Sequence, residues 1–98
     1  MKQYMVDIDL PDTITEEFMT LIPQQREQVN KLMLEGKINS YTLSMDRTKL
    51  WIILSAKSDG DVFRLLATFP MRRFMDAKIV ELAFHNTITT AFPQISLN

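Results

Sequence analysis

The chain has 98 residues, 46% hydrophobic and 23% charged, with a formal net charge of −1, no cysteine and one histidine. That length suits one domain with a thin core, and the apolar content excludes a disordered chain. The missing cysteine excludes disulfides, thiolate zinc sites and cysteine nucleophiles, a single histidine excludes a metal site built from several, and near-neutral charge gives no electrostatic case for nucleic acid or an anionic membrane.

The opening residues, Met1 to Asp7, lack the apolar stretch of a signal peptide, and no later run approaches the roughly 20 apolar residues needed to span a bilayer. A cytoplasmic location is the expectation. Tyr4, Val6, Ile8 and Leu10 alternate with Met5, Asp7 and Asp9, the period-two pattern of a half-buried strand, and Pro11-Asp12 ends it. Thr13 and Glu16 have the spacing of a capping box, so a helix is expected to start there. Phe18, Leu21, Ile22, Val29, Leu32 and Met33 recur at helical spacing up to Gly36, a natural stop. Pro23 removes a hydrogen bond and clashes with the preceding turn, which predicts a kink or restart near Thr20–Pro23.

Ile38 to Met45 reads as a second strand, Asp46 to Lys49 as a polar turn, and Leu50 to Leu54 as a third strand. The third strand is apolar on both faces and should lie centrally, covered on each side. Ser58 can cap a second helix, with Asp59 and Asp61 in its first turn; Val62, Leu65, Leu66 and Phe69 give it an apolar stripe, closed by Pro70. Lys78 to His85 is the fourth strand. The order β-α-β-β-α-β is the split βαβ, or ferredoxin-like, α+β arrangement with an antiparallel sheet.

Such a sheet carries both helices on one face, yet the third strand has no polar face to turn to water. A large exposed apolar patch marks an interface, so a homodimer with sheets packed face to face is expected. Residues 1–86 form the domain. Residues 87–98, with Ile88, Phe92, Ile95 and Leu97, are too apolar for a free tail and read as an arm lying on the partner subunit or folding back on its own.

Over nearly its whole length, Met1 to about Asn86, the chain resembles the muconolactone isomerase-like proteins of the dimeric α+β barrel group. The resemblance rests on the helix end Leu34-Glu35-Gly36, the helix close Phe69-Pro70, the triplet Phe74-Met75-Asp76, and His85 at the end of the last strand. Two departures stand out. Arg72 and Arg73 replace the second proline region of the link, and Lys37 to Tyr41 follows Glu35-Gly36 where the isomerases tend to carry Trp, Arg and His. The resemblance implies a cofactor-free isomerase of a small unsaturated lactone or related carboxylate, with rings of dimers as a possible assembly.

That chemistry needs a base near the acidic carbon, a donor for the developing enolate, and a cation for the substrate carboxylate. His85 is the first candidate base, since an imidazole changes protonation near neutral pH; the bland alternative is a histidine bonded to a loop or a partner subunit. Arg72 and Arg73 are candidate carboxylate ligands, or simply two solvated charges. Asp76 reads as a base or as the residue that starts the last strand. The Tyr41 hydroxyl is a candidate donor to an oxyanion, or the wet tip of a packed ring. Glu81, on the face of Ile79, Ala83 and His85, reads as an interface salt bridge in preference to a base with a raised pKa. Trp51, with Met5, Met19, Met33, Met45, Met71 and Met75, suits an apolar ligand pocket or a core of flexible side chains.

Gly36 and Gly60 are the only glycines, so no phosphate-cradling loop is present and no cofactor is expected. Neither is a metal. Two alternatives accompany the isomerase. One is a cofactor-independent monooxygenase acting on an aromatic or quinol substrate, for which Trp51, Tyr41, His85 and the methionines would form the pocket. The other is a dimer that binds a small apolar or aromatic-derived molecule without catalysis.

Overall fold

The computed structural model describes residues 1–87. Alternation in the first strand, β1 (Lys2–Asp9), sends Tyr4, Val6 and Ile8 into the core and leaves Gln3, Met5 and Asp7 on the other side. The chain continues through α1 (Glu16–Leu34), β2 (Ile38–Leu43), β3 (Lys49–Ala56), α2 (Asp59–Leu66), a 3₁₀ turn (Arg72–Phe74) and β4 (Asp76–Leu82). The four strands form one sheet in the order β2-β3-β1-β4, each neighbouring pair antiparallel. This is the ferredoxin-like α+β arrangement, with β3 inserted between the two parallel strands β1 and β2.

The helices start and stop for local reasons. Thr15, not Thr13, caps α1: its hydroxyl accepts from the Phe18 amide at 3.1 Å, two residues later than the capping-box spacing predicts. The helix then runs unbroken through Pro23 to Leu34, so the expected restart does not occur. Pro23 is exposed, and the bond it deletes is one that water can replace on the Met19 carbonyl. At the other end Gly36 takes φ 77°, and the Gly36 and Lys37 amides donate to the Met33 and Leu32 carbonyls, a Schellman close. Ser58 caps α2 as expected, its hydroxyl accepting from the Asp61 amide at 3.2 Å. That helix stops at Leu66, four residues short of Pro70, and successive tight turns carry the chain into the 3₁₀ turn.

Both helices pack on one face of the sheet. Phe18, Val29 and Leu32 from α1 and Val62 and Leu66 from α2 meet Tyr4, Val6, Ile8, Ile52 and Leu54. Burying one such aliphatic side chain is worth about 1.5–3 kcal/mol, so the face is the main source of stability. The opposite face carries, in one row across three strands, Ile53, Met5 and Val80, with Trp51 one row away beside Asp7. β3 is central, as its two apolar faces predict: Ile53 is 5% exposed and Trp51 36%. The sheet end beyond Trp51 is charged, with Lys49 between Asp7 and Asp9 at 2.8 and 2.6 Å.

β4 begins at Asp76 and ends at Leu82, so His85 lies three residues past the strand and not on its last rung. Glu81 pairs with Lys2 of its own chain at 3.8 Å. The proposed arm, with Ile88, Phe92, Ile95 and Leu97, lies outside the described residues apart from its first residue, Thr87.

Candidate functional site

A cavity of about 370 Å³ opens between α1 and the end of the sheet where β1 finishes and the β2–β3 turn begins. That volume is at the small end for a small-molecule site. Phe18, Ile22, Gln25 and Arg26 line it from α1, Tyr41, Leu43 and Leu50 from the strands, and Met71 and Met75 from the link into β4. The inner wall is built from buried side chains, Phe18, Gln25, Leu50, Met71 and Met75. The rim is exposed and includes Ile14, Met19, Arg26 and Arg47.

One polar pair interrupts the apolar wall. Gln25 is 4% exposed and spans two elements: its Oε1 accepts from the Met71 amide at 3.1 Å, and its Nε2 donates to the Tyr41 hydroxyl at 3.3 Å. With its lone pair engaged by Gln25, the hydroxyl keeps its own proton free to donate. Burial pushes the Tyr41 phenol above its usual range, only partly offset by the Gln25 bond, so it is a neutral donor at physiological pH. The site can therefore bind an apolar molecule and donate one hydrogen bond to an oxygen inside it.

Of the residues singled out from sequence, Tyr41 lines this cavity, and so do Met19, Met71 and Met75. Asp76 follows the lining residue Met75 but is exposed, in register with Asp9 on the helix-free face. Trp51 is on that face too, away from the cavity. Arg72 donates to the Met75 carbonyl at 2.8 Å, which tightens the link. Arg73 forms an ion pair with Glu17 and stacks over Phe74, 4.9 Å from its ring centre, while Phe74 meets Phe18 edge-on. His85 lies beyond the opposite end of β4, where Leu82 pairs with Gln3, and about 20 Å of strand separates that end from the cavity.

Gln25, Arg26 and Arg47 were not among the residues the sequence pointed to. A signal for Gln25 exists: it falls on the buried stripe Phe18, Ile22, Gln25, Val29, Leu32, where a polar side chain needs a partner. A second buried phenol, Tyr4, has no hydrogen-bond partner in good geometry; burial, then the Glu81 and Asp59 carboxylates, raise its pKa. It is walled into the core away from the cavity. Among the described residues, no cluster of three metal-ligating side chains occurs, and no helix is long and apolar enough to cross a membrane.

Comparison with known proteins gives a consistent picture. The crystal structure of a muconolactone isomerase superposes with a TM-score of 0.69, covering 91% of this chain and 96% of that one at 17% identity, which establishes a common fold. No curated protein matches in sequence. The family model for muconolactone delta-isomerase matches residues 3–87, nearly the whole described chain. By that match, the chain belongs to the muconolactone delta-isomerase family.

Proposed function

We propose that the protein is a cofactor-free isomerase that moves a proton in a small unsaturated lactone or related carboxylate, with the cavity beside α1 as its site. The observation that carries the reading is the Tyr41 hydroxyl, held by Gln25 on the wall of an apolar cavity, in a chain of this family. Removing a proton next to a carbonyl makes an enolate, and a fixed neutral donor on an apolar wall stabilises that oxygen more than it stabilises the ground-state carbonyl. Tyr41 is the donor in this reading. The proton acceptor in this reading is His85 brought from a neighbouring copy; Asp76, although next to the lining residue Met75, turns to the helix-free face, away from the cavity.

The same reading includes a homodimer, packed through the helix-free face of the sheet. Ile53, Met5 and Val80, with Trp51 alongside, supply an apolar row there that water would otherwise cover. A cytoplasmic location accompanies it.

The test is turnover of muconolactone followed by ultraviolet absorbance, with deuterium exchange at the carbon beside the carbonyl followed by NMR. Wild-type protein should catalyse both. Tyr41→Phe should lower the rate by about 10²-fold, the usual cost of losing one oxyanion donor. His85→Ala should abolish exchange, and Asp76→Asn should leave it in place. Binding of the lactone with neither turnover nor exchange would sink the isomerase and leave a binding protein.

A further inference from the structure

The chain's five arginines divide into two groups. Arg64 pairs with Asp61, Arg73 pairs with Glu17, and Arg72 bonds a backbone carbonyl. Arg26 and Arg47 have neither an ion pair nor a side-chain hydrogen bond among the described residues, and these are the two that line the cavity. They reach its rim from different elements, Arg26 from α1 and Arg47 from the turn between β2 and β3.

The turn that carries Arg47 is built for presentation. Arg47 has φ 66°, the left-handed conformation in which glycine or asparagine is at ease and a long side chain is not. It is the only non-glycine residue in that conformation among the described residues. Asp46 is its neighbour and the nearest acid in sequence, but one oxygen of Asp46 already accepts from the Ser44 hydroxyl at 2.7 Å, the Thr48 amide at 3.0 Å and the Thr48 hydroxyl at 2.7 Å. The carboxylate fastens the turn. An arginine kept at a position that favours glycine, unpaired and facing an apolar cavity, fits a residue retained for what it binds.

The cavity thus has two chemically different ends. The exposed rim offers guanidinium groups; the buried wall offers one neutral donor, the Tyr41 hydroxyl, and no cation. We propose that Arg47, supported by Arg26, is the specificity-determining anion contact of this site, and that it orients a small monoanion with its carboxylate at the rim, its apolar body along the methionines, and a neutral oxygen acceptor at Tyr41. The inference rests on the reading that this cavity is the ligand site, and it adds the residues and the direction in which the ligand lies. Gln25 enters as a positioning residue, because it holds the hydroxyl whose proton meets the acceptor.

Three probes separate the two ends: 4-acetylbenzoate, its methyl ester, which has no charge, and 4-ethylbenzoate, which keeps the carboxylate but has no carbonyl acceptor at the other end. Binding is followed by two-dimensional amide NMR on the full chain. The acid should bind about tenfold tighter than the ester, the worth of one charge-assisted contact. Arg47→Gly, which suits the backbone at that position, and Arg47→Gln should each erase that difference and leave ester affinity unchanged. Arg64→Gln should alter nothing. The acetyl compound should outbind the ethyl compound in wild type and lose that advantage in Tyr41→Phe. Equal affinity for acid and ester, an undiminished preference in a folded Arg47→Gly, or no saturable shift at cavity amides from any probe would overturn the inference. Charge-selective binding without turnover of any lactone would overturn the isomerase alone; turnover without charge selectivity would overturn only the role of Arg47.

Discussion

Replacing Gln25 by leucine removes the one polar bridge inside the core while keeping its approximate volume. Two groups lose a partner. The Met71 amide, bonded to Gln25 Oε1 at 3.1 Å, is buried and has no second acceptor, so it bears the full desolvation penalty of about 1–3 kcal/mol. The Tyr41 hydroxyl loses a longer bond, 3.3 Å, but faces the cavity, where water can reach it. The Met71 amide therefore dominates, and the net loss should be about 2 kcal/mol. In a domain of this size that lowers Tm by roughly 8–16 °C. Circular dichroism melts and urea unfolding read the change directly. Gln28→Leu is the control: Gln28 also bonds across elements, to the Thr68 hydroxyl at 2.9 Å, but in an exposed setting, so the cost should stay within about 0.5 kcal/mol. If Gln25→Leu unfolds within about 0.5 kcal/mol of wild type, the amide finds another partner and Gln25 is not the strut described above.

Pro23→Ala should stabilise the chain by about 1–3 kcal/mol in urea unfolding, because α1 already runs through that position and alanine restores the missing donor. Trp51→Glu places a charge beside the apolar row of the helix-free face; sedimentation should show the mutant as a monomer where wild type is a dimer, with the far-ultraviolet spectrum unchanged. Asp46 is held below the usual carboxylate range by the Thr48 amide, then the Thr48 and Ser44 hydroxyls. Its folded pKa is depressed, so its contribution is present above the unfolded value near about 3.9 and fades as pH falls through the lower folded value. Asp46→Asn should therefore flatten the acid side of the stability–pH curve, read from urea midpoints between pH 5 and 2 taken as a rough window.

The fold was legible because its determinants are local and repeated. Alternation in β1, the two apolar faces of β3, Gly36 and the Ser58 cap each act through neighbours in sequence, and all point to the same βαββαβ order. Errors fell where a local rule met tertiary context. Pro23 should break a helix, yet the packing of Phe18 and Ile22 on one side and Val29 and Leu32 on the other holds α1 together across it. His85 looked like a strand end, but pairing with β1 ends at Leu82, opposite Gln3.

The site was less legible because it is assembled from three separate stretches, residues 10–26, 41–50 and 71–75, that only the folded sheet brings together. Tyr41, singled out because a hydroxyl on a strand is a recognisable donor, lines the cavity. Gln25 sat in view on an apolar stripe, where its burial could have been inferred from periodicity alone. Arg47 had no such signal, since arginine in a polar turn reads as solvated and nothing in Ser44-Met45-Asp46-Arg47-Thr48 betrays a positive φ. The two adjacent arginines, Arg72 and Arg73, drew attention by being adjacent, and each has a partner that accounts for it. The two that lack one are 21 positions apart in sequence, taking 47 minus 26, and share a rim. For a site that recognises an anion, a guanidinium with no protein partner beside an apolar cavity is a stronger physical argument than a basic pair whose N–H donors are already engaged by the chain's own groups.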